Sequence, residues 1–195
     1  MYNPKYSAAP TIVYGFHGTD GRCADDVISG RERHLTPSKN EYDWLGEGIY
    51  FWESNPERAL QWAEDRKKQK PSVIGAIIDL GRCLNLLEAE SLINLKLAYS
   101  EYERITKEQK RPLAKNSKKF NYLDCAVINT LCELAAEKYD TVRGVFWEGE
   151  ELYPSALFKE KNHIQICVRN PKCILGYFNP FTENPQNKQQ LPDFQ

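Results

Sequence analysis

Two short β-rich runs, separated by about thirty residues, set narrow limits on the fold. Thr11–Phe16 is rich in β-branched and aromatic residues, which favour strands, and it leads into His17-Gly18-Thr19. The second run, Ile49-Tyr50-Phe51, places one aromatic ring on each face of a short strand. We therefore predict a first strand that ends by presenting His17, and a second strand that presents Tyr50.

The rest of the chain mixes helices with short strands, without the regular β-α-β order of a doubly wound sheet. We predict helices over Cys23–Ser29, from a Ser54/Glu57 capping box to about Lys68, over 88–103 and over Asn121–Lys138. We predict further strands over Ser72–Leu80, Thr141–Trp147, His163–Val168 and Cys173–Phe178. This order indicates an α+β fold with antiparallel sheets.

The length and composition suit a single folded domain. The chain has 195 residues, of which 41% are hydrophobic and 12% aromatic, enough to bury an ordinary core. We predict one domain over residues 1–178. Residues 179–195 hold several Pro, Asn and Gln with little to bury, and we expect a polar, disordered tail there.

The overall charge gives no reason to expect a nucleic acid or a membrane as a general partner. The formal net charge is −1, so any such attraction has to be local. No stretch approaches the ~20 apolar residues that a membrane helix needs. The N-terminus lacks the charged-then-apolar build of a signal peptide, and we expect a cytoplasmic protein.

The six cysteines and three histidines show no spacing typical of a metal site. No Cys-x-x-Cys is present, and Cys125 and Cys132 share one face of a predicted helix. Cysteine at such positions behaves as a small apolar residue. We predict reduced, buried thiols and no metal.

The two strand motifs together carry a resemblance. His17-Gly18-Thr19, followed by Gly46-Glu47-Gly48-Ile49-Tyr50-Phe51, resembles the nicotinamide site of ADP-ribosyltransferases with a His-Tyr-Glu triad, the diphtheria-toxin and poly(ADP-ribose)-polymerase branch. The resemblance covers residues 11–63 well and 141–178 loosely. It implies two small antiparallel sheets split by a cleft for NAD, which serves as the substrate.

The resemblance also implies roles for particular residues. His17 would bond a ribose hydroxyl, the backbone of Gly18 would hold the carboxamide, and Thr19 matches the family's Ser or Thr. Tyr50 would stack on nicotinamide. Trp62, on the helix that follows, would border the same ring, although it could equally fill the core. Trp44 lies in a polar loop, Leu35–Gly48, which in the family lies over the dinucleotide and which could also be a surface connector.

The third position of the triad departs from the family pattern. The strand that should begin with glutamate offers Gln165, which can hold a ribose hydroxyl but cannot act as a base. Glu148 and Glu150 form a Glu-x-Glu sequence just before that strand. Either one could supply a carboxylate or reach the acceptor, and both could equally be solvated loop acids.

The resemblance implies an ADP-ribosyltransferase that modifies a macromolecule. Such an enzyme could be a bacterial toxin or a defence effector, with an inhibitory antitoxin or a regulatory partner. An NAD glycohydrolase and a non-catalytic module that binds NAD or ADP-ribose are the alternatives. A protein acceptor is slightly favoured. The segment 104–119 carries seven cations against one anion, so it could instead dock the phosphate backbone of a nucleic acid, or be a solvated, flexible insertion.

Overall fold

Seven strands and four α-helices make up the part of the chain that the structure describes. The structure is a computed structural model, which describes residues 11–117 and 119–181. In chain order the elements are β1 (Ile12–Asp20), α1 (Gly21–Ile28), β2 (Ile49–Glu53), α2 (Pro56–Asp65), β3 (Pro71–Asp79), β4 (Cys83–Asn85), α3 (Ala89–Glu108), α4 (Tyr122–Leu134), β5 (Thr141–Phe146), β6 (His163–Val168) and β7 (Ile174–Phe178). Most of the predicted tail, residues 182–195, lies outside the described residues.

The strands form one open sheet in the order β4-β5-β6-β2-β1-β3-β7. The predicted α+β class is confirmed, but the predicted pair of separate antiparallel sheets is wrong in two respects. The strands are hydrogen-bonded into a single sheet, and β4 pairs with β5 in parallel. The parallel pair has a topological cause, because α3 and α4 connect β4 to β5 and return the chain to the same end of the sheet.

The pairing between β1 and β2, at the centre of the sheet, is short. β1 pairs with β3 along its whole length, from Ile12 to Asp20, but with β2 only at Gly15 and Phe16. β2 in turn pairs with β6 from Ile49 to Trp52. The two halves of the sheet therefore stop sharing backbone bonds just beyond Phe16, beside His17.

Helices cover both faces of the sheet. On one face α1 packs Ala24 and Val27 into a core that includes Phe51 of β2. On the other face Ala59 of α2 packs in a separate cluster with Phe16 and Trp52, and α4 covers the β4–β5–β6 half. Alternation along β1 and β2 thus sends neighbouring side chains into different cores.

The first strand is longer than predicted. We expected it to stop at Phe16, but His17 to Asp20 remain paired with β3, and His17 lies within the strand rather than at its end. The polar residues that suggested a stop are held by this pairing. Asp20 then ends the strand and caps α1, because its side chain accepts a hydrogen bond from the backbone N–H of Cys23 (2.9 Å).

The predicted capping box at Ser54 and Glu57 is wrong. Asn55 is the N-cap of α2, since its side-chain oxygen accepts from the backbone N–H of Arg58 at 2.9 Å. Ser54 instead makes the turn out of β2, with φ of 51°. The helix ends at Asp65, before the predicted Lys68, because Lys67 adopts a left-handed conformation.

The two helices of the middle region differ from their predictions in opposite ways. α3 runs to Glu108, beyond the expected residue 103, and so contains the first part of the basic segment. α4 stops at Leu134, short of Lys138, because Ala135 is extended (ψ of 129°) as the chain turns towards β5.

No disulfide joins the six cysteines, all of which lie within the described residues; Cys125, Cys132, Cys167 and Cys173 are buried, whereas Cys23 and Cys83 are partly exposed. Within residues 11–117 and 119–181, none of the helices is both long enough and apolar enough to cross a membrane.

Candidate functional site

A cavity of about 600 Å³ opens where the sheet divides, and it collects six of the residues singled out from the sequence. That volume is within the ordinary range for sites of small molecules and cofactors. The six residues come from β1, the loop before β2, β2, α2, the loop after β5, and β6; they are His17, Trp44, Tyr50, Trp62, Glu148 and Gln165. Gly18 and Thr19 are not among the lining residues, and Thr19 is buried.

His17 links the two halves of the sheet at the point where strand pairing stops. Its Nδ1 lies 2.8 Å from the carbonyl oxygen of Tyr50. A carbonyl can only accept, so Nδ1 carries the proton and donates. Burial is the main cause that lowers the pKa of His17, and the imidazole is therefore neutral at pH 7 with a lone pair on Nε2.

The backbone of Gly18 faces the division of the sheet. The carbonyl of Tyr14 accepts from the N–H of Ser54 at 2.9 Å, so Tyr14 turns its backbone groups towards the β2 side. Backbone groups alternate between the two sides along a strand, and those of Gly18, four residues on, turn the same way. Because β2 pairs with β1 only at Gly15 and Phe16, the N–H and C=O of Gly18 have no strand partner on that side among the described residues.

Position 18 needs glycine for the packing of the helix above it. A Cβ here would lie 2.1 Å from the carbonyl oxygen of Ala59. Glycine therefore allows α2 to pack directly on β1. That packing fixes the position of the helix that carries Trp62 and Arg58.

Tyr50 is fixed by its hydroxyl group. The hydroxyl donates to the carbonyl of Gly46 at 2.6 Å and accepts from the N–H of Leu45 at 2.9 Å. Gly46 can make this turn because its φ of +77° favours glycine. The loop before β2 is thus tied to the tyrosine, which lines the cavity with its hydroxyl already occupied.

Two tryptophans line the cavity, one from the loop before β2 and one from α2. Trp44 packs on Phe146 of β5, with ring centroids 4.3 Å apart. Trp62 packs against Trp52 at 5.8 Å, and the cations of Arg66 and Lys68 lie over its ring. Trp62 thus both contacts the core and lines the cavity.

Gln165 lines the cavity from β6 with a histidine beside it. Its side-chain nitrogen lies 3.0 Å from Nε2 of His163, two residues earlier on the same face of the strand. His163 is buried, and its Nδ1 lies 2.6 Å from the carbonyl oxygen of Lys161. Burial is the main cause that lowers the pKa of His163.

Glu148 reaches the cavity as half of an ion pair. Its Oε2 lies 2.7 Å from Nη2 of Arg58, whose side chain is only 10% exposed. The Arg58 guanidinium also lies over the ring of Trp52, and its Nε and Nη1 have no hydrogen-bond partner among the described residues. Glu150 does not line the cavity; its backbone carbonyl accepts from the N–H of Glu160 across the loop.

Sequence reasoning missed Arg58 and His163. Arg58 stands in the first turn of α2, where the helix dipole disfavours a cation, and that misplaced charge was the available signal. His163 was considered only as a metal ligand. Its place two residues before Gln165 on a predicted strand was the signal that the two side chains would share a face.

The basic segment meets the cavity at one end only. Lys119 and Phe120 line it, whereas Arg104 lies on α3 and pairs with Glu101 and Glu108. Lys118 lies outside the described residues.

No metal cluster is found in the part of the chain that the structure describes: no three or more His, Cys, Asp or Glu side chains are grouped there.

Comparisons with known proteins leave the family open. The chain is 27% identical, over 188 residues, to an uncharacterized protein of Methanocaldococcus jannaschii, a match that covers 82% of this chain and 83% of that protein. No protein-family model matches the chain. No solved structure matches it either.

Proposed function

We propose that this protein is an ADP-ribosyltransferase, which transfers ADP-ribose from NAD to a macromolecular acceptor and releases nicotinamide. The observation that carries the proposal is the convergence of His17, Tyr50 and Gln165 on one cavity. These are the three positions that the resemblance to the His-Tyr-Glu branch singles out, and they come from β1, β2 and β6. The volume of the cavity also suits a nucleotide.

The reaction breaks the bond between nicotinamide and ribose, and the bonding electrons leave with nicotinamide. The acceptor's nucleophile then forms a bond to the same ribose carbon and loses its proton to solvent. The ribose passes through an oxocarbenium-like state. Catalysis of this kind depends on groups that orient the ribose and stabilise charge as it develops.

The geometry supports a role for each group. Gly18 follows the lining residue His17 in the chain, and its backbone N–H and C=O have no strand partner on the β2 side among the described residues. They are one donor and one acceptor, which is what a carboxamide requires. His17 offers the lone pair of Nε2 to a ribose hydroxyl. The ring of Tyr50 supplies a stacking face, since its hydroxyl is already bonded to Leu45 and Gly46.

Gln165 has no carboxylate, although the resembling family has one at this third position. Glu148 is the candidate to supply it. It lines the same cavity and is held by Arg58. Glu148 is 30% exposed, so an acceptor can reach it. We assign the ribose contact to Gln165 and the contact with the incoming acceptor to Glu148.

The loop after β5 favours a protein acceptor. Between Trp147 and Phe158 it exposes several large apolar side chains: Trp147 62%, Leu152 58%, Tyr153 58%, Leu157 90% and Phe158 61%. An exposed apolar group of this kind, beside a cavity, is typical of a surface that binds another protein. Such an acceptor, or an inhibitory antitoxin, would contact this loop.

The test is a reaction with labelled NAD in cell lysate, with the products treated separately with protease and with nuclease. Transfer to protein gives a label that protease releases. Release of nicotinamide without any labelled macromolecule would identify an NAD glycohydrolase. If NAD raises the melting temperature of the protein but no nicotinamide is released, the protein is a binding module.

A further inference from the structure

The side chain of Gln165 is held by a chain of two hydrogen bonds that starts outside the cavity. His163 and Gln165 lie two residues apart on β6 and point to the same face. The chain runs from the carbonyl of Lys161 to Nδ1 of His163 (2.6 Å), and from Nε2 of His163 to the amide nitrogen of Gln165 (3.0 Å).

The first bond determines the tautomer of His163. The carbonyl of Lys161 can only accept, so Nδ1 of His163 must carry the proton. In a neutral imidazole the other nitrogen then has a lone pair and no proton. Nε2 of His163 can therefore only accept.

The second bond determines the orientation of Gln165. An amide has a donating NH₂ group and an accepting oxygen, and only the NH₂ group can bond to a bare Nε2. Oε1 of Gln165 is consequently directed away from His163, and Gln165 lines the cavity. A glutamine without this constraint could present either end.

We propose that His163 is a positioning residue, which fixes the amide of Gln165 so that its oxygen, and not its nitrogen, is presented to the substrate. The inference rests on the proposed function, because the substrate group is a hydroxyl of the NAD ribose. The oriented oxygen supplies the acceptor that a carboxylate supplies in the resembling family.

The surroundings of His163 keep it neutral near pH 7. Its ring packs near those of Trp52 and Phe146, with centroids 6.3 and 5.7 Å away. The charged groups around it are Arg58 of α2 and Glu148 of the loop after β5, which act on its pKa in opposite directions and are paired with each other. The ammonium of Lys161, in the preceding loop, pairs with Asp65 of α2 at 3.6 Å. Burial therefore dominates and lowers the pKa.

Two consequences separate this role from a purely structural one. Protonation of His163 at low pH would put a donor on Nε2, and the amide of Gln165 would have to turn its nitrogen towards the cavity. Replacement of Gln165 by glutamate would place a carboxylate against Nε2, and His163 would then become protonated at a higher pH.

The first arm of the experiment uses two-bond proton–nitrogen spectra of histidine-labelled protein and needs no activity. We expect the Nδ1–H tautomer for His163 at pH 7, in wild type and in Gln165→Ala. We expect protonation at a higher pH in Gln165→Glu than in wild type. The Nε2–H tautomer, or no change in Gln165→Glu, would overturn the inference.

The second arm is a double-mutant cycle on NAD cleavage, with His163→Phe, Gln165→Ala and both together. His163→Phe keeps an aromatic ring at this position but removes both nitrogens. We expect it to lower kcat/KM roughly tenfold, the scale of one hydrogen bond, and to have no further effect in the Gln165→Ala background. His34→Phe, at a histidine outside the cavity, is the control. Equal losses in both backgrounds would show a structural role only and overturn the proposal.

The two arms also separate the inference from the proposed function. If wild-type protein cleaves no NAD and modifies no acceptor, the proposed function fails. The spectra then decide alone whether His163 orients Gln165.

Discussion

The imidazole of His17 donates from Nδ1 to the carbonyl oxygen of Tyr50 at 2.8 Å, and this bond spans β1 and β2 where their backbone pairing has ended. One residue thus holds two strands together and also lines the cavity. The same bond fixes the tautomer, so the chemistry available at Nε2 follows from the position of Tyr50 on β2.

We expect His17→Ala to slow NAD turnover by raising the activation barrier about 2–4 kcal/mol, which is comparable to the removal of one positioned polar group. The bond to Tyr50 is lost as well, and it is expected to cost about 1 kcal/mol of unfolding free energy. Initial rates and denaturant unfolding measure the two effects. His34→Ala is the matched control and should leave turnover unchanged; a large loss of stability with normal turnover in His17→Ala would assign His17 to the fold alone.

Tyr50→Ala should abolish most NAD use, because it removes the stacking face, whereas Tyr50→Phe should retain most of it. The structure adds a cost to the second substitution. Without the hydroxyl, the N–H of Leu45 and the carbonyl of Gly46 lose their partner, and we expect Tyr50→Phe to be about 1–3 kcal/mol less stable. NAD affinity by calorimetry and thermal melting of the same two proteins check this separation. If Tyr50→Ala folds and binds NAD normally, the nicotinamide site has been placed wrongly.

Glu148→Gln should reduce transfer to the acceptor more than it reduces cleavage of NAD in the absence of acceptor, because Gln165 holds the ribose. Glutamine retains an oxygen that can accept from Arg58, so this variant avoids leaving the buried cation without a partner. Glu150→Gln, at an acid that does not line the cavity, is the matched control. Gln165→Ala should instead reduce cleavage and transfer alike, because transfer begins with cleavage of the same bond. If Glu148→Gln abolishes cleavage while Gln165→Ala has no effect, Glu148 is the third residue of the site.

The strands and the residues on them were the most predictable part of the site. Strand propensity identified the strands that carry His17, Tyr50 and Gln165, and these predictions depend only on local sequence. The order of strands in the sheet was not predictable in the same way. The single sheet and the parallel pair of β4 and β5 depend on contacts between distant segments, for which periodicity gives no signal.

The partners of the site residues were the least predictable part. The ion pair of Arg58 and Glu148 joins residues that are ninety positions apart, and each reads as a solvated charge in its own segment. The hydroxyl bonds of Tyr50 and the cap at Asn55 depend on turn conformations at Gly46 and Ser54. A sequence pattern specifies which residue types occur there but not which of two adjacent polar residues makes the bond.

Stability should fall as the pH falls below about 6.5. The pKa values of His17 and His163 are both lowered from 6.5 in the folded state, chiefly by burial. Below pH 6.5 the unfolded chain therefore binds protons that the folded protein does not, and each histidine contributes a slope of at most about 1.4 kcal/mol per pH unit. This contribution is fully present above pH 6.5 and is lost as the pH falls through the folded-state pKa values.

Denaturant unfolding between pH 7.5 and 5 measures this slope, and His163→Phe should make it shallower. His34→Phe should change it less, because His34 is more exposed to solvent. A slope that is the same in wild type and His163→Phe would mean that His163 is protonated as easily in the folded as in the unfolded state.

The last prediction concerns the basic segment and the acceptor. Lys107, Lys110, Arg111 and Lys115 lie outside the lining of the cavity, whereas Lys119 lines it. If a phosphate backbone binds along this segment, replacement of the four by Gln should weaken modification of the acceptor and leave cleavage of NAD without acceptor unchanged. The dependence of modification on salt should also become shallower, by a slope close to the number of phosphates that the variant no longer neutralises. Arg104→Gln is the control, because the charge of Arg104 is already paired with Glu101 and Glu108.

Since the exposed apolar loop after β5 favours a protein acceptor, we expect the variant with all four replacements to modify its acceptor as well as wild type does. A labelled product that nuclease digests, absent in that variant and kept in Arg104→Gln, would contradict the protein acceptor and assign the role to nucleic acid.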